Sequence, residues 1–103
     1  MSYTRSMRHG EYKMPGGKLV VVDLDLRDGQ IAAVQVSGDF FLEPDSALAD
    51  IDCALLGAPH SASVEELAMR VSPALSAPVQ TFGISAEAVA IAVRRAIDGG
   101  NST

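Results

Sequence analysis

The stretch from Gly16-Gly17-Lys18 to Phe40-Phe41 constrains this chain most. Leu19-Val20-Val21-Val22-Asp23-Leu24-Asp25-Leu26 is apolar at first and then alternates, and Ile31 to Val36 is a second β-rich run. Arg27-Asp28-Gly29-Gln30 lies between them as a turn signal, so the stretch reads as a β-hairpin. A two-residue Asp28-Gly29 loop would set Arg27 opposite Gln30, Val22 opposite Gln35 and Val20 opposite Ser37. A three-residue loop, Arg27-Asp28-Gly29 with Gly29 left-handed, sets Leu24 opposite Ala32, Val22 opposite Val34 and Val20 opposite Val36. A one-residue slip exchanges the buried set for the solvated set. The second register collects the even-numbered apolar residues on one face and leaves Asp23, Asp25, Gln35 and Ser37 on the other. The pattern therefore favours the three-residue loop with a glycine bulge.

Before the hairpin, Arg8 to Met14 reads as an edge strand, with His9, Glu11 and Lys13 on one face and Arg8, Tyr12 and Met14 on the other. Gly10 weakens that strand, and Pro15-Gly16-Gly17 is a turn. After the hairpin, Glu43-Pro44-Asp45 opens a helix carrying Leu48, Ile51 and Leu55 at helical spacing, with Asp50 and Asp52 on its outer face. Gly57 is its C-cap and Pro59 its stop. Ser63 and Glu66 form a capping box for a second helix with the stripe Val64, Leu67, Ala68 and Val71, ended near Ser72 by Pro73. Residues 74–84 read as a loop. Ser85 caps a third helix, with Val89, Val93 and Ile97 spaced by four and Arg94 and Arg95 near its negative end. The expected fold class is α+β: a three-stranded antiparallel meander with three helices packed on one face. The expected domain is a single unit over 1–103, with 1–7 and 99–103 flexible.

With 103 residues the chain can bury one modest core, built from aliphatic side chains because aromatics are only 5% and Trp is absent. No apolar run reaches the roughly 20 residues of a membrane span. Met1 to Arg8 has no apolar centre and does not read as a secretory signal. The single cysteine excludes an internal disulfide, and a cytoplasmic location is expected. A net charge of −5 argues against nucleic-acid binding. The charge is uneven: Arg5, Arg8, Lys13 and Lys18 face only Glu11 in the first 18 residues, whereas residues 19–69 carry ten acids against Arg27. Such polarity is either a solvated surface or a docking surface.

Groups for chemistry are scarce. His9 and His60 have no neighbouring cysteine, so no metal site is expected. Gly16-Gly17-Lys18 precedes a strand rather than a helix and offers no helix N-terminus for phosphate. Cys53 could serve as a nucleophile or sulfur carrier, but its place between Ile51 and Leu55 reads as a buried thiol without an activating partner. Asp23 and Asp25 share a strand face and read as solvated. At most one of Phe40 and Phe41 can face the sheet's core, leaving the other covered by a helix or open to a partner. No catalytic residue is assigned, and the residues alone describe an α+β domain that works by binding.

Tyr12-Lys13, Gly16-Gly17-Lys18-Leu19, Asp28-Gly29-Gln30-Ile31 and Ser37-Gly38-Asp39-Phe40-Phe41-Leu42-Glu43-Pro44 resemble the accessory, C-terminal domain of lipoate–protein ligases. The likeness is to the archaeal type, in which that domain is a separate polypeptide. It is good from Gly10 to Leu56 and looser over the later helices. The resemblance implies an iron–sulfur-scaffold-like α+β fold. It also implies a catalytic subunit on another chain that binds ATP, Mg and lipoate and makes lipoyl-AMP before transfer to lipoyl-domain acceptor proteins. The accessory domain would support adenylation without contributing a catalytic group and would itself bind no cofactor; from charge and hydropathy, no nucleic-acid or membrane partner is expected. Under that resemblance Tyr12, Lys13, Lys18, Asp39, Phe40 and Phe41 are expected to form or brace the partner-binding surface, with Gly16, Gly17, Gly29 and Gly38 shaping turns. Local turn geometry is the competing account of Gly17, Gly38 and Asp39. A sulfur-acceptor or scaffold role through Cys53, and an interaction module for another acyl or biotin ligase, stand as alternatives.

Overall fold

The computed structural model describes residues 8–15, 17–43, 46–76, 80–82 and 84–99. Strands β1 (Arg8–Lys13), β2 (Leu19–Arg27) and β3 (Gln30–Gly38) form an antiparallel sheet in the order β1-β2-β3. Helix α3 (Ala86–Gly99) packs on β1 and β2 and helix α1 (Ser46–Leu55) on β3, with α2 (Val64–Val71) against both helices, and under this layer Val20, Val22, Leu24, Ile31 and Val36 are buried. The expected α+β meander with helices on one face is the observed fold. Each buried aliphatic side chain stabilises it by about 1.5–3 kcal/mol.

The expected hairpin register is wrong by two residues. Arg27 pairs with Gln30 and Leu26 with Ile31 across a two-residue Asp28-Gly29 turn. Both turn residues have positive φ, 56° and 79°, the conformation that matches the twist of a tight hairpin. A β-bulge then falls between Asp25 and Leu26, with Ala32 as the extra residue of β3, and beyond it Leu24 faces Val34 and Val22 faces Val36. The bulge lies in the strand rather than in the turn. It reverses the parity of β3, so Ile31 and Val36 both reach the core although one is odd and the other even. Beyond the bulge a displacement of two residues keeps every side chain on its face, so there the apolar pattern gave the right faces and the wrong partners; before it the faces were exchanged, with Ile31 buried and Ala32 exposed.

Gly10 is a fitted feature of β1 rather than a weakness in it. A Cβ there would overlap the Ala92 carbonyl oxygen and the Ala96 amide nitrogen of α3 and lie 2.9 Å from the Ala96 Cα. The absent side chain lets α3, whose Ala88, Val89, Ala92, Val93 and Ala96 are buried, lie close on the sheet. Arginines fasten the elements through backbone carbonyls. Arg8 donates to Ile97 O at 2.9 Å, and Arg95 donates to Glu11 O at 3.0 Å while its guanidinium lies 5.1 Å from the Tyr12 ring centroid. Arg94 donates to His60 O (2.6 Å) and Ala62 O (3.0 Å) and pairs with Asp98.

The α2 capping box is formed, with Ser63 N donating to Glu66 Oε1 at 2.9 Å and Glu66 N to Ser63 Oγ at 3.1 Å. Ser85 Oγ accepts from Ala88 N at 3.1 Å and so caps α3. The expected start of α1 at Pro44-Asp45 lies outside the described residues. Asp52 departs from its expected outer position: its carboxylate accepts the Val36 amide of β3 at 3.1 Å and is half-buried. Burial raises its pKa, and the Val36 hydrogen bond opposes that rise. The segment expected as a loop holds a 3₁₀ turn at Ser72–Leu75 and a strand β5 (Gln80–Phe82) paired with β4 (Phe41–Glu43). Three-residue strands leave too little pattern for period-two reading.

Candidate functional site

The sheet end opposite the Asp28-Gly29 turn gathers most of the residues expected at a docking surface. Lys13 closes β1 directly opposite Leu19, and Val20 faces Gly38 at the end of β3. The connection is a short turn in which Gly17 N donates to Met14 O at 2.8 Å and Met14 N to Lys18 O at 3.3 Å. Asp39 reaches back from β3, and its Oδ1 accepts the Leu19 amide at 2.9 Å. Gly38 makes this return possible. Its φ is 151°, and a Cβ there would overlap the Leu19 carbonyl oxygen and lie 2.9 Å from two ring carbons of Phe40. Gly38 and Asp39 therefore have a local structural role, and Asp39 also leaves an exposed carboxylate at the surface.

Around that latch, Lys13 and Asp39 are exposed, and Lys18, Leu19 and Tyr12 are half-buried. Phe40 is half-buried and packs against the core. The side chain of Phe41 and all of Gly16 lie outside what the structure describes. Gly29 belongs elsewhere. It sits at the far end of β2, roughly 30 Å away at about 3.4 Å per residue.

Two further features were missed by sequence reasoning. On the sheet's outer face, His9 lies opposite Asp23 and contacts both Asp23 and Glu11 at 2.7 Å. Face assignment placed these residues correctly, but their contact needs the β1–β2 register. On the helical side, Asp50, Cys53, Ala54, Arg70, Pro73 and Ala74 line an open groove of about 410 Å³. Cys53 is exposed there, not buried as expected. The buried stripe of α1 is Ala47, Ile51 and Leu55, and a residue two beyond Ile51 points roughly 200° away from it. Arg70 donates to Ala54 O at 3.1 Å across the groove. Among the described residues, no group of three or more His, Cys, Asp or Glu side chains could hold a metal ion. No helix among them is long and apolar enough to cross a membrane.

No family model matches the chain, and no curated protein matches it. A solved structure does. It comes from a structural analysis of an archaeal lipoylation system, a bi-partite lipoate protein ligase and its E2 lipoyl domain from Thermoplasma acidophilum. The TM-score is 0.64 at 24% sequence identity, and the alignment covers 90% of this chain and 98% of that one. The two chains therefore share a fold along nearly their whole lengths. At this identity the likeness is one of fold.

Proposed function

We propose that this chain is the accessory subunit of a two-component lipoate–protein ligase and supports lipoyl-AMP formation by a separate catalytic subunit. The observation that carries the reading is the fold shared over 98% of a chain from a bipartite lipoate protein ligase system. The sequence resemblance supports it independently, because its Gly-Gly-Lys-Leu and Ser-Gly-Asp-Phe-Phe segments meet at one sheet end through the Asp39–Leu19 latch. In this reading ATP, Mg and lipoate bind the catalytic partner, and acceptor lipoyl domains are reached only through it. The subunit donates no reacting group. By binding the adenylation-competent conformation more tightly it raises that conformation's population, and a tenfold shift takes about 1.4 kcal/mol of preference.

Lys13, Lys18 and Asp39 supply the polar contacts of the docking end, while Tyr12, Phe40 and Phe41 brace or extend it. The test is pyrophosphate release from lipoate and ATP by the catalytic subunit, with and without this chain. Addition should accelerate it, and charge reversal by Lys13→Glu plus Lys18→Glu should weaken that effect with the melting temperature unchanged. An equal rate without the chain refutes the reading, as does ATP consumption by the chain alone.

The exposure of Cys53 keeps a second reading in view, a sulfur-acceptor or scaffold role through that thiol. Cys53→Ala separates the two. The accessory reading requires full support of adenylation by the variant, and the sulfur reading requires its loss of function.

A further inference from the structure

The outer face of the sheet holds a side-chain cluster that the proposed function does not use. His9 Nδ1 lies 2.7 Å from Asp23 Oδ1 on β2, and His9 Nε2 lies 2.7 Å from Glu11 Oε2 on β1. A neutral imidazole has one N–H and one lone pair. It can donate to one of these carboxylates and must turn its lone pair on the other. Only the imidazolium donates to both at once. The two carboxylates face opposite nitrogens of one ring, so a single cation could not replace both protons.

We propose that His9, Glu11 and Asp23 form a proton-operated brace that fastens β1 to β2 and thereby controls how firmly α3 is seated. The mechanical link is direct. Strand β1 is an edge strand of the sheet, held to it by β2 alone, and α3 rests on it at Gly10, through the Arg95–Tyr12 stack and through the Arg8 bond to Ile97 O. When the ring loses its proton, one of the two contacts becomes a lone pair facing a carboxylate. The hold on β1 then weakens, and the seat of α3 with it.

The surrounding charges favour the protonated state. On the same face, Asp25 follows Asp23 on β2, with its own contact to Arg27 at 3.9 Å, and Lys13 follows Glu11 on β1. Gln35 of β3, across from Asp23, is uncharged. From α3, Arg95 meets the Glu11 backbone rather than its carboxylate. Negative groups therefore predominate around the ring. Its pKa is raised above the ordinary histidine value, first by the hydrogen bond to Glu11 and then by that to Asp23, with burial opposing. The sign follows from linkage: the stabilisation is complete below the ordinary histidine pKa and is lost as pH rises through the raised one. This inference stands apart from the ligase reading and holds whichever partner the chain has.

The test is amide hydrogen exchange on the full chain at about pH 6 and about pH 9, as protection factors corrected for the intrinsic pH dependence. Protection of the β1 amides relative to the β2–β3 ladder should fall by about two- to fivefold at the higher pH, the range exposed ion pairs deliver. In His9→Gln that fall should be absent. Glu11→Gln and Asp23→Asn, which keep the histidine, should each lower the pH at which ¹⁵N NMR sees the His9 ring titrate. An identical pH profile in the parent and His9→Gln overturns the proposal, and so does an unchanged His9 titration in both carboxylate variants.

Discussion

Replacing Gly10 with alanine should be among the most damaging single-methyl additions this fold can receive. The new Cβ would lie 2.9 Å from the Ala96 Cα and overlap the Ala92 carbonyl oxygen and Ala96 amide nitrogen. Carbon atoms attract best at about 3.5–4.0 Å, so α3 would withdraw by about 1 Å. The obstructing atoms are helix backbone and cannot swing aside as a side chain would. A withdrawal of that size forfeits a quarter to a half of the attraction at each contact, and Val89, Ala92, Val93 and Ala96 are all fully buried along this surface. Overpacking costs about 1–3 kcal/mol, and a backbone obstruction belongs at the upper end. At about 4–8 °C per kcal/mol for a domain near this size, a loss of about 3 kcal/mol lowers the melting temperature by about 12–24 °C. Thermal and urea unfolding followed by circular dichroism would measure it, with Gly10→Val falling further than Gly10→Ala. If Gly10→Ala melts within about 2 °C of the parent, the close seating of α3 on β1 is wrong.

Other perturbations have defined outcomes. Arg94→Met keeps the aliphatic stem but removes both carbonyl contacts, and urea unfolding should show a loss of about 1.5–3 kcal/mol. Asp52→Asn retains an oxygen for the Val36 amide and removes a carboxylate whose ionisation burial disfavours. Its stability relative to the parent should therefore be greatest near neutral pH and should shrink as acid protonates Asp52, which parallel melts across pH would detect. Asp39→Ala deletes the acceptor for Leu19 N and should cost about 1 kcal/mol, read from the urea midpoint, besides any effect on partner affinity. Cys53 should react stoichiometrically with a thiol reagent in the folded protein, at a rate unaffected by low urea, because the thiol is already exposed.

Outside Ile31 and Ala32, where the bulge breaks the alternation of β3, the apolar pattern disclosed which face of each long strand and helix is buried, because burial obeys the periods of two and 3.6. It also disclosed the caps, since Ser63 with Glu66 and Ser85 act within one helical turn. The pairing of β2 with β3 was not legible. Two registers two residues apart bury the same side chains, and nothing local marks Ala32 as the extra residue. Cys53 was misplaced by counting apolar neighbours instead of angle around α1. The β4–β5 pair joins residues some forty positions apart through segments too short to carry a pattern. At the candidate site, the sequence named the residues but not the Asp39–Leu19 latch that joins them, which depends on the fold closing first. The His9 contacts likewise required the register of a strand pair.

The two side chains that plug the sheet's flanks bear on how this protein can meet others. Asp52 occupies the Val36 amide on the β3 side, and Arg95 occupies the Glu11 carbonyl on the β1 side. A foreign strand seeking to extend the sheet would find the main-chain row of β1 interrupted near its middle and that of β3 near its end. Recognition at this sheet must accordingly be written in side chains, and sequence specificity is built into any such encounter from the first contact.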